Sequence, residues 1–275
     1  AARHDAEELV SRLAGIKRSE VHLRRDRSLD EKRWAKLEPW LDRRAAGEPV
    51  QYITGRAAFR GLDLEVNPGV LIPRPETEGL VEAVLGILRA EAARWRAPRV
   101  LDLGTGSGAI ALAIAAEWPG AVVTATDESE IAIATTRANA AALGLAARVR
   151  LAAGDWFSAL GNGDRFEVIV ANPPYIATGE RSLLPRDVRD FEPDGALYSG
   201  PSGLQDTRVI VDGAPRYLVA EGVLALEVAE RRAAEVASWL EGRPGWSAVR
   251  LLDDLAGRPR VMLARREGVV VGDRG

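Results

Sequence analysis

A four-residue turn, Asn172-Pro173-Pro174-Tyr175, has the most specific chemical pattern in this sequence. The Asn172 side chain offers a carbonyl acceptor, and proline restricts the backbone so that the Pro173 carbonyl can point toward the same place. Two converging acceptors suit a planar, conjugated NH2 group, such as a carboxamide or the amino group of adenine. Because the lone pair of such a nitrogen is delocalised, two hydrogen bonds would orient it and stabilise the positive charge that develops as it attacks an electrophilic methyl group.

These roles make Asn172, Pro173 and Tyr175 the predicted catalytic residues, and Pro174 joins them in the predicted substrate-binding site. Tyr175 can stack on the planar group, and no separate base is required if the proton leaves after the transfer. The competing interpretation is a proline-rich turn that only closes a strand.

A glycine-rich segment with the sequence DLGTGSG, residues 102–108, follows a predicted strand and leads into a predicted helix. Glycines in such a loop allow a tight turn and a close approach of the backbone to a ligand, and the helix that follows presents free N–H groups. By itself the pattern fits a nucleotide cofactor and a tight turn without a ligand equally well, and it also satisfies the dinucleotide fingerprint. The predicted cofactor-binding residues in this loop are Gly104, Thr105, Gly106, Ser107 and Gly108.

Acidic positions at the ends of the next predicted strands favour a nucleotide cofactor. Asp127 ends the second strand of the series, where a carboxylate can accept hydrogen bonds from both hydroxyls of a ribose. Asp155, Trp156 and Phe157 end the third strand and supply an acceptor for an adenine amino group and aromatic faces for its ring. The alternatives are that Asp127 caps the following helix and that Trp156 packs in the core. Together the positions predict an adenosine-containing cofactor held at the carboxyl ends of the strands by Asp127, Asp155, Trp156 and Asn172.

Regular alternation of strands and helices after Pro98 predicts the framework that positions these residues. Nearly continuous apolar strands that alternate with helices indicate a parallel, doubly wound α/β sheet. The last two strands are separated by only a short Gly/Pro loop, so they are expected to pair antiparallel. The predicted fold is a seven-stranded Rossmann-like domain with strands at 100–103, 122–126, 149–152, 168–171, 223–228, 247–252 and 261–264, and helices at 108–117, 129–143, 204–219 and 231–241.

The segment before this framework divides into a small helical domain, residues 1–50, and a linking β-hairpin, residues 51–75, which leaves 76–275 for the sheet domain. In the helical domain we predict a helix capped by Asp5 and a second apolar helical face that is interrupted at Pro39. In the hairpin, β-like runs are predicted at 52–53, 62–66 and 70–72. Thr77 is predicted to cap the helix that follows.

Composition removes several classes of chemistry. The 275 residues include no Cys, so disulfides, thiolate nucleophiles and Cys-ligated metal sites are excluded. The two His, His4 and His22, both lie near the N-terminus, so a His-centred triad or a multi-His metal site is not expected, and no metal is predicted. The net charge is −3, with a mildly basic N-terminal part on an acidic body, which is a weak indication of partner docking. Apolar runs are too short for a membrane span and no leader opens the chain, so we expect a cytoplasmic protein without membrane association.

At this point the sequence resembles the glutamine N5-methyltransferases that act on class-I peptide chain release factors. The resemblance covers nearly the whole chain. The stretch 70–78 separates the glutamine enzymes from adenine N6-methyltransferases, which share only the Asn-Pro-Pro-Tyr turn. The segments that carry the resemblance are GEPVQYITG at 47–55, LIPRPETE at 71–78, DLGTGSG at 102–108, DWF at 155–157, NPPY at 172–175 and FEP at 191–193.

The resemblance implies an S-adenosylmethionine-dependent methyltransferase domain behind a small helical substrate-docking domain, with S-adenosylhomocysteine as the product of the cofactor. Residues 104–108 would hold the methionine part of the cofactor, Asp127 its ribose and Trp156 its adenine. The turn 172–175 would hold the amide of the Gln in the Gly-Gly-Gln loop of a release factor, and we expect a monomer. The chain departs from the family where E-I-G-x-x-Q is usual, because it has Glu227-Val228-Ala229-Glu230 there. By the same resemblance, the sequence is expected to lack the first helix of the family's helical domain. No functional role is assigned to the 227–230 loop.

Other functions remain open at this level. A methyltransferase for a glutamine of a ribosomal protein would use the same chemistry with different docking. An adenine N6-methyltransferase would be expected to have a basic groove, whereas this predicted domain is net negative, so no direct nucleic-acid substrate is expected. A NAD-dependent oxidoreductase would leave the Asn-Pro-Pro-Tyr turn without a role, and a non-catalytic binding protein would not need both intact motifs.

Overall fold

The computed structural model describes residues 2–24 and 26–268. Ala1, Arg25 and residues 269–275, the end of the predicted 76–275 domain, lie outside the described residues. No helix within that part of the chain is both long and apolar enough to cross a bilayer.

Short helices form the N-terminal part: α1 Ala2–Ala14, α2 Arg18–Val21, α3 Glu31–Ala45 and α4 Val50–Thr54. They share a small core of Leu9, Leu37, Val50 and Ile53, one or two residues from each of three helices. Such a small core buries little apolar area, so polar contacts between the helices matter more than in the sheet domain.

The predicted interruption at Pro39 is wrong, because α3 continues through it. Proline removes one backbone donor, which leaves the carbonyl four residues earlier, on Ala35, without its usual partner. Both Ala35 and Pro39 are exposed, so water can satisfy that carbonyl. The predicted cap at Asp5 is also wrong, because α1 already includes this residue. Its carboxylate instead accepts a hydrogen bond from Arg44 Nε at 2.8 Å and so ties α1 to α3.

A hairpin lies between the helices and the sheet domain. Its strands are β1 Arg56–Phe59 and β2 Leu62–Glu65, paired antiparallel around Arg60 and Gly61, which both have positive φ. The predicted β-like pair 52–53 is wrong, because it lies in α4; a two-residue apolar run contains no period that separates helix from strand. Residues 70–72, also predicted as β-like, form no regular element. The division of the chain at residues 50 and 75 stays a prediction.

The predicted seven-stranded sheet is confirmed, with the order β5-β4-β3-β6-β7-β9-β8. Five strands are parallel, β9 pairs antiparallel with β7, and β8 pairs antiparallel with β9, as the short final loop predicts. The strands are β3 Arg99–Leu103, β4 Val122–Asp127, β5 Val149–Ala153, β6 Phe166–Ala171, β7 Leu218–Glu227, β8 Trp246–Asp253 and β9 Pro259–Arg266.

Helices cover both faces of this sheet, and successive residues of a central strand enter different cores. Val168 and Val170 of β6 pack on the side of α5 and α6, whereas Ile169 and Ala171 pack on the side of α10 and α11. This period-2 division is why the central strands are apolar throughout. The helices of this part are α5 Thr77–Ala90, α6 Ala109–Glu117, α7 Glu130–Ala142, α8 Arg186–Phe191, α9 Asp194–Leu197, α10 Gln205–Tyr217 and α11 Ala233–Glu241.

The predicted helix 204–219 is two residues too long at its C-terminus, because β7 begins at Leu218. Leu218 is fully buried and pairs with Phe166 of β6. An apolar residue that can continue a helical face or begin a buried strand is assigned by its tertiary partner and not by the local pattern.

The strand order reverses between β3 and β6. The chain leaves β3 toward β4 on one side and leaves β6 toward β7 on the other, so the loops after these two strands diverge. A crevice at the carboxyl ends of the strands is the consequence of such a switch point. The glycine-rich loop follows β3 and the Asn-Pro-Pro-Tyr turn follows β6, so both predicted motifs border this crevice.

Candidate active site

Two adjoining cavities occupy the crevice, and Asn172 lines both. The large cavity has a volume of about 710 Å³, and the small cavity about 70 Å³. Of the residues predicted to bind the cofactor, Gly104, Gly106, Asp127, Asp155, Trp156 and Asn172 line the large cavity. Of those predicted to bind the substrate, Pro174 lines the large cavity, and Pro173 and Tyr175 line the small one.

The glycine-rich loop turns sharply at the wall of the large cavity. Gly104 and Gly106 have φ of 71° and 57°, in the left-handed region that favours glycine. The backbone N–H groups of Gly104 and Thr105 both donate to the Thr126 carbonyl at 2.9 Å, which fixes the loop against the end of β4. A Cβ at Gly104 would lie 3.4 Å from the Trp156 ring, so the bare backbone keeps this side of the cavity open.

Three predicted cofactor residues of the loop do not line either cavity. Thr105 Oγ1 donates to Asp102 Oδ2 at 2.7 Å beneath the loop, and burial raises the pKa of Asp102 to about 7. Ser107 is buried, and its carbonyl accepts a hydrogen bond from Asn139 Nδ2. Gly108, with φ of 85°, is the N-cap residue of α6. These residues shape the loop, and their direct contact with a cofactor stays a prediction.

Asp127 lies at the end of β4 and lines the large cavity. Its carboxylate accepts hydrogen bonds from the Gly106 and Ser129 backbone N–H groups, each at 2.9 Å. Burial raises the pKa of this carboxyl group, against the effect of the two N–H donors. The capping interpretation is wrong, because the N-cap of α7 is Ser129, whose side chain accepts from Ala132 N. The carboxylate therefore joins the glycine loop to the cavity wall.

The two aromatic residues that follow β5, Trp156 and Phe157, differ in whether they line the large cavity. Trp156 lines the large cavity and also packs against the core, and its φ of 43° is rare for a bulky residue. Asp155 lines the cavity beside it. Phe157 instead stacks on Tyr217, with ring centroids 5.0 Å apart, and packs against the core. Only one of the two predicted aromatic faces is thus available at the cavity.

Hydrogen bonds connect the NH2 group of the Asn172 side chain, through Thr77, to Glu227. Asn172 Nδ2 donates to Thr77 Oγ1 at 3.2 Å, and Thr77 Oγ1 donates to Glu227 Oε2 at 2.7 Å. The predicted cap at Thr77 is wrong, because Thr77 is the first residue of α5 and its hydroxyl is buried between the two partners. Within the described residues no hydrogen bond uses Asn172 Oδ1. The side chain is therefore oriented with its carbonyl oxygen left as an acceptor.

The neighbouring phenol is kept neutral by its surroundings. Burial, aided by the nearby Glu227 carboxylate, raises the pKa of Tyr175 to about 12. A neutral aromatic ring beside Asn172 can pack on a planar group without adding charge to the site.

Several residues of the site are not identified by the sequence reasoning. Arg74 lines the small cavity and donates to both oxygens of Glu192, and Tyr52 donates to the Val70 carbonyl at 2.6 Å. Glu227 accepts a hydrogen bond from Thr77, the residue that holds Asn172, although no role was predicted for Glu227. Tyr52, Arg74 and Glu192 do lie in segments that carry the family resemblance, but no local pattern in the sequence pairs residues so far apart in the chain.

Comparison with known proteins finds relatives along nearly the whole chain. Residues 1–55 match the family model of the PrmC N-terminal domain, and residues 83–195 match that of the methyltransferase small domain. The chain is 45% identical over 264 residues to a release factor glutamine methyltransferase of Pseudomonas aeruginosa, with 96% of this chain and 92% of that protein covered. A protein of the same name from Streptomyces coelicolor is 40% identical over 265 residues, with 96% and 91% covered.

Solved structures share the fold at lower identity. A methyltransferase from Pyrococcus furiosus has a TM-score of 0.54 and 21% identity, with 87% of this chain and all of that chain covered. A 16S rRNA N2 G1207 methyltransferase from Thermus thermophilus, in complex with AdoMet and guanosine, has a TM-score of 0.55 and 23% identity, with 77% and 50% covered. These structures support the methyltransferase architecture alone. The relatives that match along nearly the whole chain are more specific, and they show that this chain belongs to the release factor glutamine methyltransferase family.

Proposed function

We propose that this chain transfers a methyl group from S-adenosylmethionine to the side-chain amide nitrogen (N5) of the glutamine in the Gly-Gly-Gln motif of class-I peptide chain release factors. The observation that carries the proposal is the position of Asn172, which lies where the two cavities meet and has its Nδ2 engaged by Thr77. This arrangement leaves Oδ1 to accept a hydrogen bond from a substrate NH2 group.

The large cavity fits the proposed cofactor. Its volume of about 710 Å³ accommodates a ligand of nucleoside size, and its walls combine bare glycine backbone, one aromatic ring and four acidic residues, Asp127, Glu128, Asp155 and Asp206. The Gly104 and Gly106 backbone would contact the methionine part, Asp127 the ribose hydroxyls and Trp156 the adenine. S-adenosylmethionine supplies, when bound, a methyl group on a positively charged sulfur.

The small cavity is proposed to take the glutamine side chain. Apolar residues on its wall, among them Leu71, Ile176 and Leu197, suit the two methylene groups of glutamine. Asn172 Oδ1 and the Pro173 carbonyl would accept one N–H each and align the amide nitrogen with the methyl group. As the nitrogen forms its N–CH3 bond, the bond between that methyl group and the sulfur would break, which leaves S-adenosylhomocysteine. One proton would then pass from the nitrogen to solvent, so the site requires no dedicated base.

The helical domain is proposed to dock the protein substrate. It exposes large apolar side chains, with Leu23 84%, Trp34 52% and Leu41 38% exposed. Exposed apolar residues on a small helical unit are typical of interaction surfaces. Since release factors work with ribosomes, this substrate places the chain in the cytoplasm, and we retain the monomer as the expected state.

Methyl transfer from labelled S-adenosylmethionine tests the proposal. A release factor, its Gly-Gly-Ala variant, a large-subunit ribosomal protein and an adenine-containing oligonucleotide are assayed in parallel. Label that enters only the unmodified release factor supports the proposal. Label in the ribosomal protein alone moves the chain to that related activity, and label in the oligonucleotide alone contradicts a glutamine substrate.

A further inference from the structure

The buried carboxylate of Glu227 is connected by two hydrogen bonds to the Asn-Pro-Pro-Tyr turn at residues 172–175, which we call the substrate turn. Glu227 is the last residue of β7 and is 1% exposed, at the end of a run of buried apolar residues in that strand. A carboxylate in such a place costs free energy unless its partners compensate for the lost water. An apolar side chain would pack at the end of this strand without that cost, so an acid at this position indicates a use beyond packing.

Two hydrogen bonds connect this carboxylate to Asn172 through Thr77. Thr77 is 3% exposed, and its single hydroxyl lies 2.7 Å from Glu227 Oε2 and 3.2 Å from Asn172 Nδ2. The three residues come from the start of α5, the end of β6 and the end of β7. The two hydrogen bonds therefore form only because tertiary packing brings these three elements together.

The direction of these bonds follows from the chemistry of the carboxylate. An ionised Glu227 can only accept, so the one Thr77 proton must point toward it. The Thr77 oxygen then has only lone pairs to offer Asn172, and only the NH2 end of the Asn172 amide can meet them. The carbonyl end must consequently face the opposite way, toward the substrate.

We propose that Thr77 and Glu227 are positioning residues that hold the Asn172 side chain with Oδ1, and not Nδ2, presented to the substrate amide. Neither residue touches the reacting atoms; both act through Asn172. This inference rests on the proposed function, since it concerns the acceptor that the substrate NH2 group requires. A reversed Asn172 side chain would present a donor to a donor and repel the glutamine amide.

The orientation of the Asn172 amide depends on whether Glu227 is ionised, and the charged groups near Glu227 affect its ionisation. The charged or titratable groups that interact electrostatically with this carboxylate are Arg260 of β9, Arg74 and Glu76 from the segment before α5, and Tyr175. Burial raises the pKa of Glu227, while the Thr77 hydrogen bond and Arg260 act in the opposite direction. Protonated Glu227 can donate to Thr77, which frees the Thr77 proton to point at Asn172 and permits the reversed amide. Acidic pH should therefore weaken turnover through this chain of bonds.

Three substitutions separate a positioning role from a structural one. Thr77→Val keeps the shape and removes both hydrogen bonds, Thr77→Ser restores the hydroxyl, and Glu227→Gln replaces the obligatory acceptor with a group that can also donate. Thr124→Val, which removes a buried hydroxyl from the middle of β4, is the matched control. Each variant is assayed for kcat and KM with the release factor, and for S-adenosylmethionine affinity by calorimetry.

For Thr77→Val we expect a kcat about 10- to 100-fold lower, since misplacing a reacting group is costly, with cofactor affinity unchanged. Thr77→Ser and Thr124→Val should keep kcat close to that of the unsubstituted chain. The ratio of the unsubstituted kcat to that of Glu227→Gln should fall as the pH is lowered, because protonation impairs only the unsubstituted chain further. A kcat that Thr77→Val leaves unchanged, or that Thr77→Ser fails to rescue, would overturn the proposal.

A second readout needs no activity. With ¹⁵N-labelled asparagine, hydrogen exchange of the Asn172 side-chain NH2 should be slow in the unsubstituted chain and in Thr77→Ser, and faster in Thr77→Val. Equal exchange rates in all three would contradict the inferred orientation. If the unsubstituted chain labels no release factor, the proposed function fails, whereas this measurement still decides whether Thr77 orients Asn172.

Discussion

Arg74 donates from one guanidinium nitrogen to both carboxylate oxygens of Glu192, each at 2.7 Å. The pair joins the segment before α5 to the segment that follows α8, and Arg74 lines the small cavity. The Glu192 side chain is 1% exposed, whereas that of Arg74 is 29% exposed. Burial raises the pKa of Glu192 despite the guanidinium, so this carboxylate depends on its partner.

Replacing Arg74 by Met should destabilise the fold by about 2 kcal/mol, because it leaves a buried charge without its partner while partial exposure of Arg74 moderates the cost. Urea unfolding measures the change. The matched control is Arg89→Met, which removes an exposed partner of Glu82 and should change stability by less than about 0.5 kcal/mol. We also expect a raised KM for the release factor. An unfolding free energy equal to that of the unsubstituted chain would show that the pair is not needed for the cavity wall.

Asn172→Ala should remove most turnover and leave the affinity for S-adenosylmethionine within a few-fold. Its Oδ1 is assigned to the substrate amide, and it is only one of many residues that line the large cavity. Single-turnover assays and calorimetry on the same preparation give the two quantities. Equal losses of turnover and affinity would mean that Asn172 serves mainly the cofactor.

Asp127→Ala should have the opposite effect and weaken cofactor binding first, by about 10-fold or more, because it removes a charged acceptor worth roughly 1.5–3 kcal/mol. It also frees the Gly106 N–H that shapes the glycine loop. Glu130→Ala, at an exposed acid in the first turn of α7, is the control and should leave the affinity unchanged. An Asp127→Ala affinity equal to that of the control would contradict the assignment.

The raised pKa of Glu227 makes a prediction about stability. A carboxyl group whose pKa is higher in the folded state favours folding below its unfolded pKa of about 4.3, and this contribution is lost as the pH rises through the folded value. Glu227→Gln lacks the titration, so its thermal midpoint relative to that of the unsubstituted chain should increase as the pH is raised from acidic to neutral. A difference that is independent of pH, or that decreases, would show that the Glu227 pKa is not raised.

If the helical domain docks the substrate, substitutions on its surface should raise the KM for the release factor and leave the cofactor affinity unchanged. The double variant Trp34→Ala, Leu41→Ala should raise the KM for the release factor about 10-fold, since exposed aromatic and aliphatic anchors dominate binding. Its stability should change little, because both side chains are substantially exposed. Val122→Ala, an exposed apolar residue at the start of β4, is the control. An unchanged KM in the double variant would remove these side chains from substrate recognition.

Local patterns determined the framework. Apolar strands such as β3 and β6, and glycines that must take positive φ before α6, are properties of neighbouring residues, so the order of elements and the location of both motifs could be predicted. The same reasoning failed where a pattern was too short or ambiguous: residues 52–53 are helical, and Leu218 begins a strand. At Pro39 the same reasoning overestimated the free-energy cost of a proline inside a helix, because water can hydrogen-bond to the exposed backbone there.

Tertiary structure decided which groups act together. The sequence placed Asn172 at the end of a strand, but only the packing of α5 against β7 brings Thr77 and Glu227 behind it. The same holds for Arg74 and Glu192, and for Phe157, which the fold turns away from the cavity and onto Tyr217. Contacts between residues far apart in the chain depend on how whole elements pack, and this information is spread over the entire sequence and is not contained in any single motif.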